Sequence, residues 1–100
     1  MKLQVAGETL QISELPELTT ADSSAFRDRA RAAFTPALKY FEIDLSQTAF
    51  IDSSGLGALI ALHKTACGRG GGLRLLRPQP PVRQLLELTR MHRLFKIVKG

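Results

Sequence analysis

The spacing of apolar residues changes along this chain, and that change constrains the fold more than any other feature. Leu3 and Val5, then Leu10 and Ile12, alternate with polar neighbours on either side of the turn sequence AGET. A period of two puts alternate side chains on one face of an extended strand, so this pair predicts a hairpin. The spacing then lengthens to three and four. Phe26, Ala30, Ala33 and Phe34 share a helical face, with Thr19 or Thr20 available as cap, Asp22 in the first turn and Pro36 as the stop. Tyr40 to Leu45 returns to alternation, with Phe41, Ile43 and Leu45 on one side. Leu56, Leu59, Ile60, His63 and Cys67 form a second helical stripe, and Gly68 is placed to end it in a left-handed conformation. Leu73 to Leu76 reads as a strand. Pro80 and Pro81 open a third helix with Val82, Leu85, Leu86 and Leu88 on its apolar side, and Leu94 to Val98 reads as a final strand.

The resulting order is strand, strand, helix, strand, helix, strand, helix, strand. It predicts an α/β fold, a single domain over residues 1–100 with a mixed central sheet and helices packed on it. Strand-helix-strand connections favour parallel neighbours, and the opening hairpin adds an antiparallel pair. One hundred residues suffice for one core and are too few for two.

Composition narrows the function classes. Hydrophobic residues make up 44% and charged residues 23%, ordinary values for a soluble globular chain. No segment approaches the run of about 20 apolar residues that spans a bilayer, and MKLQVAGETL has no signal-peptide pattern. The expectation is a cytoplasmic protein without membrane insertion. Cys67 is the single cysteine, which excludes an internal disulfide framework and predicts a small buried hydrophobe. Two histidines and one cysteine, far apart, give no basis for a metal site. No cofactor motif is present either. CGRGGGL lacks the Lys-Ser/Thr of a phosphate loop and precedes a strand, so it reads as a helix stop and a flexible turn.

Charge is distributed unevenly within the net +5. Residues 1–52 hold five Lys/Arg against eight Asp/Glu, or −3, while residues 53–100 hold nine against one, or +8. A basic half suits an acidic protein, an anionic membrane surface or nucleic acid. Alternatively Arg69, Arg74, Arg77, Arg83, Arg90, Arg93, Lys96 and Lys99 are spread over several elements and solvate them. Phe95 is the only aromatic residue of that half, so stacking platforms for nucleic acid are missing and direct nucleic-acid binding is not expected.

The stretch FIDSSGLGALI, residues 50–60, places an acid, two hydroxyls and two glycines where a strand hands over to a helix. Asp52 or Ser53 can cap the first amides, and Gly55 and Gly57 allow close packing, so a structural joint is one sufficient reading. A cap alone does not call for two glycines, each costing up to about 1 kcal/mol relative to alanine. The helix is also apolar around most of its circumference, which predicts a surface for a partner protein. A phosphate on Ser53 would lie at the positive end of the helix and be tolerated by the fold, yet would disrupt an interface. Ser53, Asp52 and His63 supply triad residue types, but ten residues of helix separate Ser53 from His63, about 15 Å along an axis. The G-x-S-x-G elbow is absent as well. No catalytic residue is assigned, and a binding protein is expected.

DLSQTAFIDSSGLGALIALHKTA, residues 44–66, with its strand-DSSG-helix order, resembles the STAS domains and most closely the bacterial anti-sigma-factor antagonists. The resemblance implies that the serine after the aspartate, here Ser53, is phosphorylated by a partner that is both anti-sigma factor and serine kinase. It implies that the unphosphorylated form binds that partner and that a serine phosphatase resets the modified form. Asp52, Ser53, Ser54, Gly55, Leu56, Gly57 and Ala58 are the expected partner-binding residues, with Leu56 and Ala58 giving apolar contact. The alternative is a STAS accessory subunit of a membrane transporter, such as a lipid-transport ABC system, in which the same helix docks and the serine need not be modified. Antagonists often carry a Gly-Glu-Leu-Asp-like stretch where this chain has Ser13, Glu14, Leu15 and Pro16. Many also end in a further amphipathic helix where this sequence ends at Gly100, so that either the helix is supplied elsewhere or a strip of sheet is open for a partner.

Overall fold

The computed structural model describes residues 1–98; Lys99, one of the basic side chains counted above, and Gly100 lie outside the described residues. The chain forms β1 (Lys2–Ala6), β2 (Thr9–Ser13), β3 (Glu17–Leu18), α1 (Thr20–Ala33), β4 (Tyr40–Asp44) and β5 (Phe50–Ile51). It continues through α2 (Ser53–Cys67), β6 (Gly72–Leu76), α3 (Pro80–Leu88), a short 3-10 turn (Met91–Arg93) and β7 (Lys96–Val98). Five strands make one sheet in the order β1-β2-β4-β6-β7, with β1 antiparallel to β2 and the others parallel. This is the expected α/β fold with a mixed sheet.

Strand periodicity becomes two faces. Leu10, Phe41 and Leu73 line up across β2, β4 and β6, and Ile12, Ile43, Leu75 and Ile97 form the next row out to β7. The residues of these rows on β2, β4 and β6 are at most 2% exposed, each burial favouring the fold by about 1.5–3 kcal/mol. On the other face, Gln11, Glu42, Arg74 and Lys96 are in register. There the Gln11 amide donates to Glu42 at 3.2 Å and Arg74 pairs with Glu42 at 3.2 Å. Helix α2 lies on β4 and β6, and α1 lies against α2 while reaching the sheet through Phe34, stacked on Phe41 at 4.0 Å.

That arrangement answers the all-round apolarity of α2. Its buried residues, Gly55, Leu56, Ala58, Leu59, Leu62 and Ala66, serve both the sheet and α1, so a partner is not needed to cover them. Four further expectations are corrected. Cys67 is exposed, because it is the last residue of α2 and lies past the covered stripe. Gly68 is right-handed at φ −62°, and the left-handed residue is Gly70, at φ +82°. Leu88 ends α3 75% exposed. Leu94 and Phe95 precede the last strand, because a left-handed Arg90 and the 3-10 turn delay pairing until Lys96.

The glycine turn is tied down where a flexible one was expected. Arg69 donates from one guanidinium nitrogen to the carbonyls of Phe34, Thr35 and Leu38 at 3.0, 2.6 and 3.2 Å, with its carbon 4.4 Å from the Phe34 ring centre. These carbonyls belong to the C-cap of α1 and the loop after it, the Thr35 one also accepting from the Leu38 amide at 3.0 Å, and a cation there complements the helix dipole.

Candidate functional site

The site is built by two strands of two residues each. β3 and β5 pair in parallel, with Leu18 opposite Ile51, and each runs through one residue into a helix: Thr19 into α1, Asp52 into α2. Two helix N-termini therefore start side by side, each presenting unsatisfied amides and a positive dipole end. Asp52 serves both. Its Oδ1 accepts from the Gly55 amide at 3.0 Å, and its Oδ2 accepts from the Thr20 amide at 2.9 Å and the Thr20 hydroxyl at 3.1 Å. Thr19 makes no side-chain cap, its hydroxyl donating instead to Asp22 at 3.1 Å. The Gly55 amide first, then the Thr20 and Ser54 donors, hold the Asp52 carboxyl below the ordinary aspartate value despite some desolvation.

The adjacent serines differ in what holds them. Ser54 is half-buried, with its hydroxyl 3.0 Å from that of Thr20. Thr20 has one hydroxyl proton and gives it to Asp52, so Ser54 is the donor in a chain from Ser54 through Thr20 to Asp52. Ser53 is exposed, and its hydroxyl has no hydrogen-bond partner among the described residues.

The glycines divide in the same way. A Cβ on Gly55 would lie 2.1 Å from the Leu18 carbonyl oxygen, so only glycine lets α2 approach β3. A Cβ on Gly57 would meet nothing within 4 Å, and the residue is exposed one turn after Ser53. Leu56 and Ala58 are 8% and 3% exposed. Most of both side chains is spent on the interior, and Leu56 still reaches the surface beside Ser53.

Apolar surface lies beside them instead. A groove of about 510 Å³ runs between β5, the start of α2 and α3, lined by Phe50, Ser53, Leu56, Val82, Leu85 and Leu88 among others. Phe50 is 56% and Leu88 75% exposed at this groove. Sequence reasoning missed Phe50 and the α3 side. The available signal was Phe50 itself, a large apolar residue that strand alternation turns outward when its neighbour Ile51 turns inward. His63 is not brought to Ser53. It stands edge-on to Phe95, ring centres 5.4 Å apart, with Nε2 3.3 Å from the Cys67 sulfur, at the other end of α2.

The fold has known counterparts. The STAS family model described as "Mlab, STAS domain" matches residues 1–99. The chain belongs to the STAS family. A STAS-domain containing protein of Pseudomonas aeruginosa is 37% identical to this STAS domain over 73 residues, 72% of this chain and 70% of the relative. The anti-sigma F factor antagonist of Paenibacillus polymyxa is 29% identical over 59 residues, 59% of this chain and 50% of its own length. Among solved structures, the unphosphorylated anti-sigma factor antagonist SpoIIAA superposes with a TM-score of 0.84 at 23% identity, covering 99% of this STAS domain and 88% of that chain. A murine anion transporter of the Solute Carrier 26 family contains the same fold, with a TM-score of 0.79 at 18% identity, covering 97% of this chain and 17% of the transporter.

Proposed function

We propose that this STAS domain is an anti-sigma-factor antagonist acting in the cytoplasm, a binding protein switched by phosphorylation of Ser53. In this reading the unmodified form binds an anti-sigma factor that is also a serine kinase, and a serine phosphatase returns the phosphorylated form to the unmodified one. One observation carries the assignment: of two adjacent serines at the start of α2, Ser53 alone offers an exposed, unbonded hydroxyl, beside an apolar groove. Likeness to named antagonists supports it.

The contact surface is Ser53, Gly57 and the groove, where Asp52 and Leu56 join Phe50 and Leu88 in the lining, while Ser54, Gly55 and Ala58 hold that surface in place from beneath. A phosphate on Ser53 would sit at the N-terminus of α2, which tolerates it in the free protein. Covering the same dianion with a partner requires its desolvation next to Asp52. A 100-fold loss of affinity needs about 2.7 kcal/mol, within reach of one misplaced phosphate. Incubation with the cognate kinase and ATP is expected to label wild type and Ser54→Ala and to leave Ser53→Ala unlabelled. Full labelling of Ser53→Ala contradicts the assignment.

A second reading, an accessory subunit of a membrane transporter, is favoured by the occurrence of the fold within an anion transporter. The two differ in what co-purifies. The antagonist brings down a small ATP-binding kinase, and the accessory subunit brings down a transport ATPase or permease.

A further inference from the structure

The basic half of the chain separates into side chains engaged within the fold and side chains that are not. Arg69 binds the carbonyls after α1, Arg74 pairs with Glu42, and Arg77 pairs with Asp44 at 2.7 Å. Arg90, Arg93 and Lys96 make no ion pair among the described residues. They belong to one strip. From Arg90 to Val98, Met91, Phe95 and Ile97 pack onto the core, which leaves Arg90, His92, Arg93, Leu94, Lys96 and Val98 exposed. Leu94 is 42% and Val98 37% exposed, and no acidic residue occurs between Leu88 and Val98. The strip ends at the sheet edge, since Lys96–Val98 form β7, the outermost strand, and the 3-10 turn before it lies against that strand.

We infer that this strip is a peripheral docking surface for an anionic lipid bilayer. Arg90, Arg93 and Lys96 complement headgroup phosphates, and Leu94 and Val98 between them reach the boundary of the acyl region. Both chemistries are needed at once at a bilayer surface, whereas an acidic polypeptide would answer the charge alone. A folded partner taking up exposed leucine and valine also needs a shaped contact. Neither the groove beside Ser53 nor the second cavity, lined by Met1, Leu15, Phe26 and Arg29 among others, includes a residue of the strip. Nucleic acid fits less well, because Phe95 is 2% exposed and offers no stacking face.

Vesicle sedimentation of the full chain tests this, using phosphatidylcholine vesicles with and without phosphatidylglycerol. Binding is expected only with the anionic lipid and is expected to weaken as salt is added. Arg90→Gln, Arg93→Gln and Lys96→Gln should each lower partitioning about fivefold, the equivalent of about 1 kcal/mol per side chain. Leu94→Ser, which keeps the charge, should lower it severalfold, with Val98→Ser as the substitute if that variant fails to fold by circular dichroism. Absence of sedimentation with anionic vesicles overturns the inference. So does binding that Leu94→Ser and Val98→Ser leave unchanged while polyglutamate displaces the protein, since that outcome assigns the strip to an acidic polypeptide.

Discussion

A carboxylate that accepts from the Gly55 amide and from both the amide and hydroxyl of Thr20 is stabilised in its charged form, and that is the position of Asp52. Asp44 is lowered as well. Partial burial pushes it up, but the Ser46 amide and the Arg77 guanidinium together outweigh that push. Both carboxyls are depressed in the folded state, so the stability they lend is present above about pH 4 and is lost as pH falls through their folded values. Urea midpoints measured from pH 5 downward should therefore fall for wild type and fall less steeply for Asp52→Asn. The two glycines make an opposed pair of predictions. Gly55→Ala drives a methyl group into the Leu18 carbonyl and should destabilise by about 1–3 kcal/mol. Gly57→Ala meets open space and should stabilise by about 0.5–1 kcal/mol. If the proposed interface is correct, Gly57→Ala also weakens partner binding, and the two effects separate in paired denaturation and affinity measurements.

At the scale of elements, the strands and helices of ordinary length were legible from apolar spacing, and the pieces that position the site were not. β3 and β5 have two residues each, too few to display a period, yet their pairing sets α1 beside α2. The loops leading into them are joined by Thr48, fully buried, whose hydroxyl donates to the Leu15 carbonyl at 2.6 Å. Thr48→Val keeps the shape and leaves that carbonyl unsatisfied, which should cost about 1–3 kcal/mol in chemical denaturation. The sequence stripe on α2, Leu56, Leu59, Ile60, His63 and Cys67, runs on to a half-buried His63 and an exposed Cys67. The covered face instead includes Ala58, Leu62 and Ala66. Ala58 and Ala66 are small and let two helices approach closely, so spacing weighted toward large apolar side chains passes over them, while Leu62 is a large residue covered because α2 is buried on two sides. Leu88 shows the reverse case, a large apolar residue at the end of α3 that the core does not cover.

Across the whole molecule, DSSG was recognisable as a joint from sequence, whereas its division into an outward Ser53 and a tethered Ser54 depends on Thr20, 34 residues before Ser54. The groove likewise joins β5 and α2 to α3, which lies about a quarter of the chain further on. Contacts between such distant segments are set by sheet order, which local spacing does not encode. The resulting surface has an apolar recess next to the exposed Ser53 hydroxyl, and under the proposed function charge added there would alter binding without entering the core. The most direct measurement is the affinity of the anti-sigma partner for the unmodified protein and for protein carrying phosphoserine only at position 53, by titration calorimetry. The account predicts dissociation constants about 100-fold apart, with the phosphorylated form weaker; equal constants, with both forms folded, would contradict it.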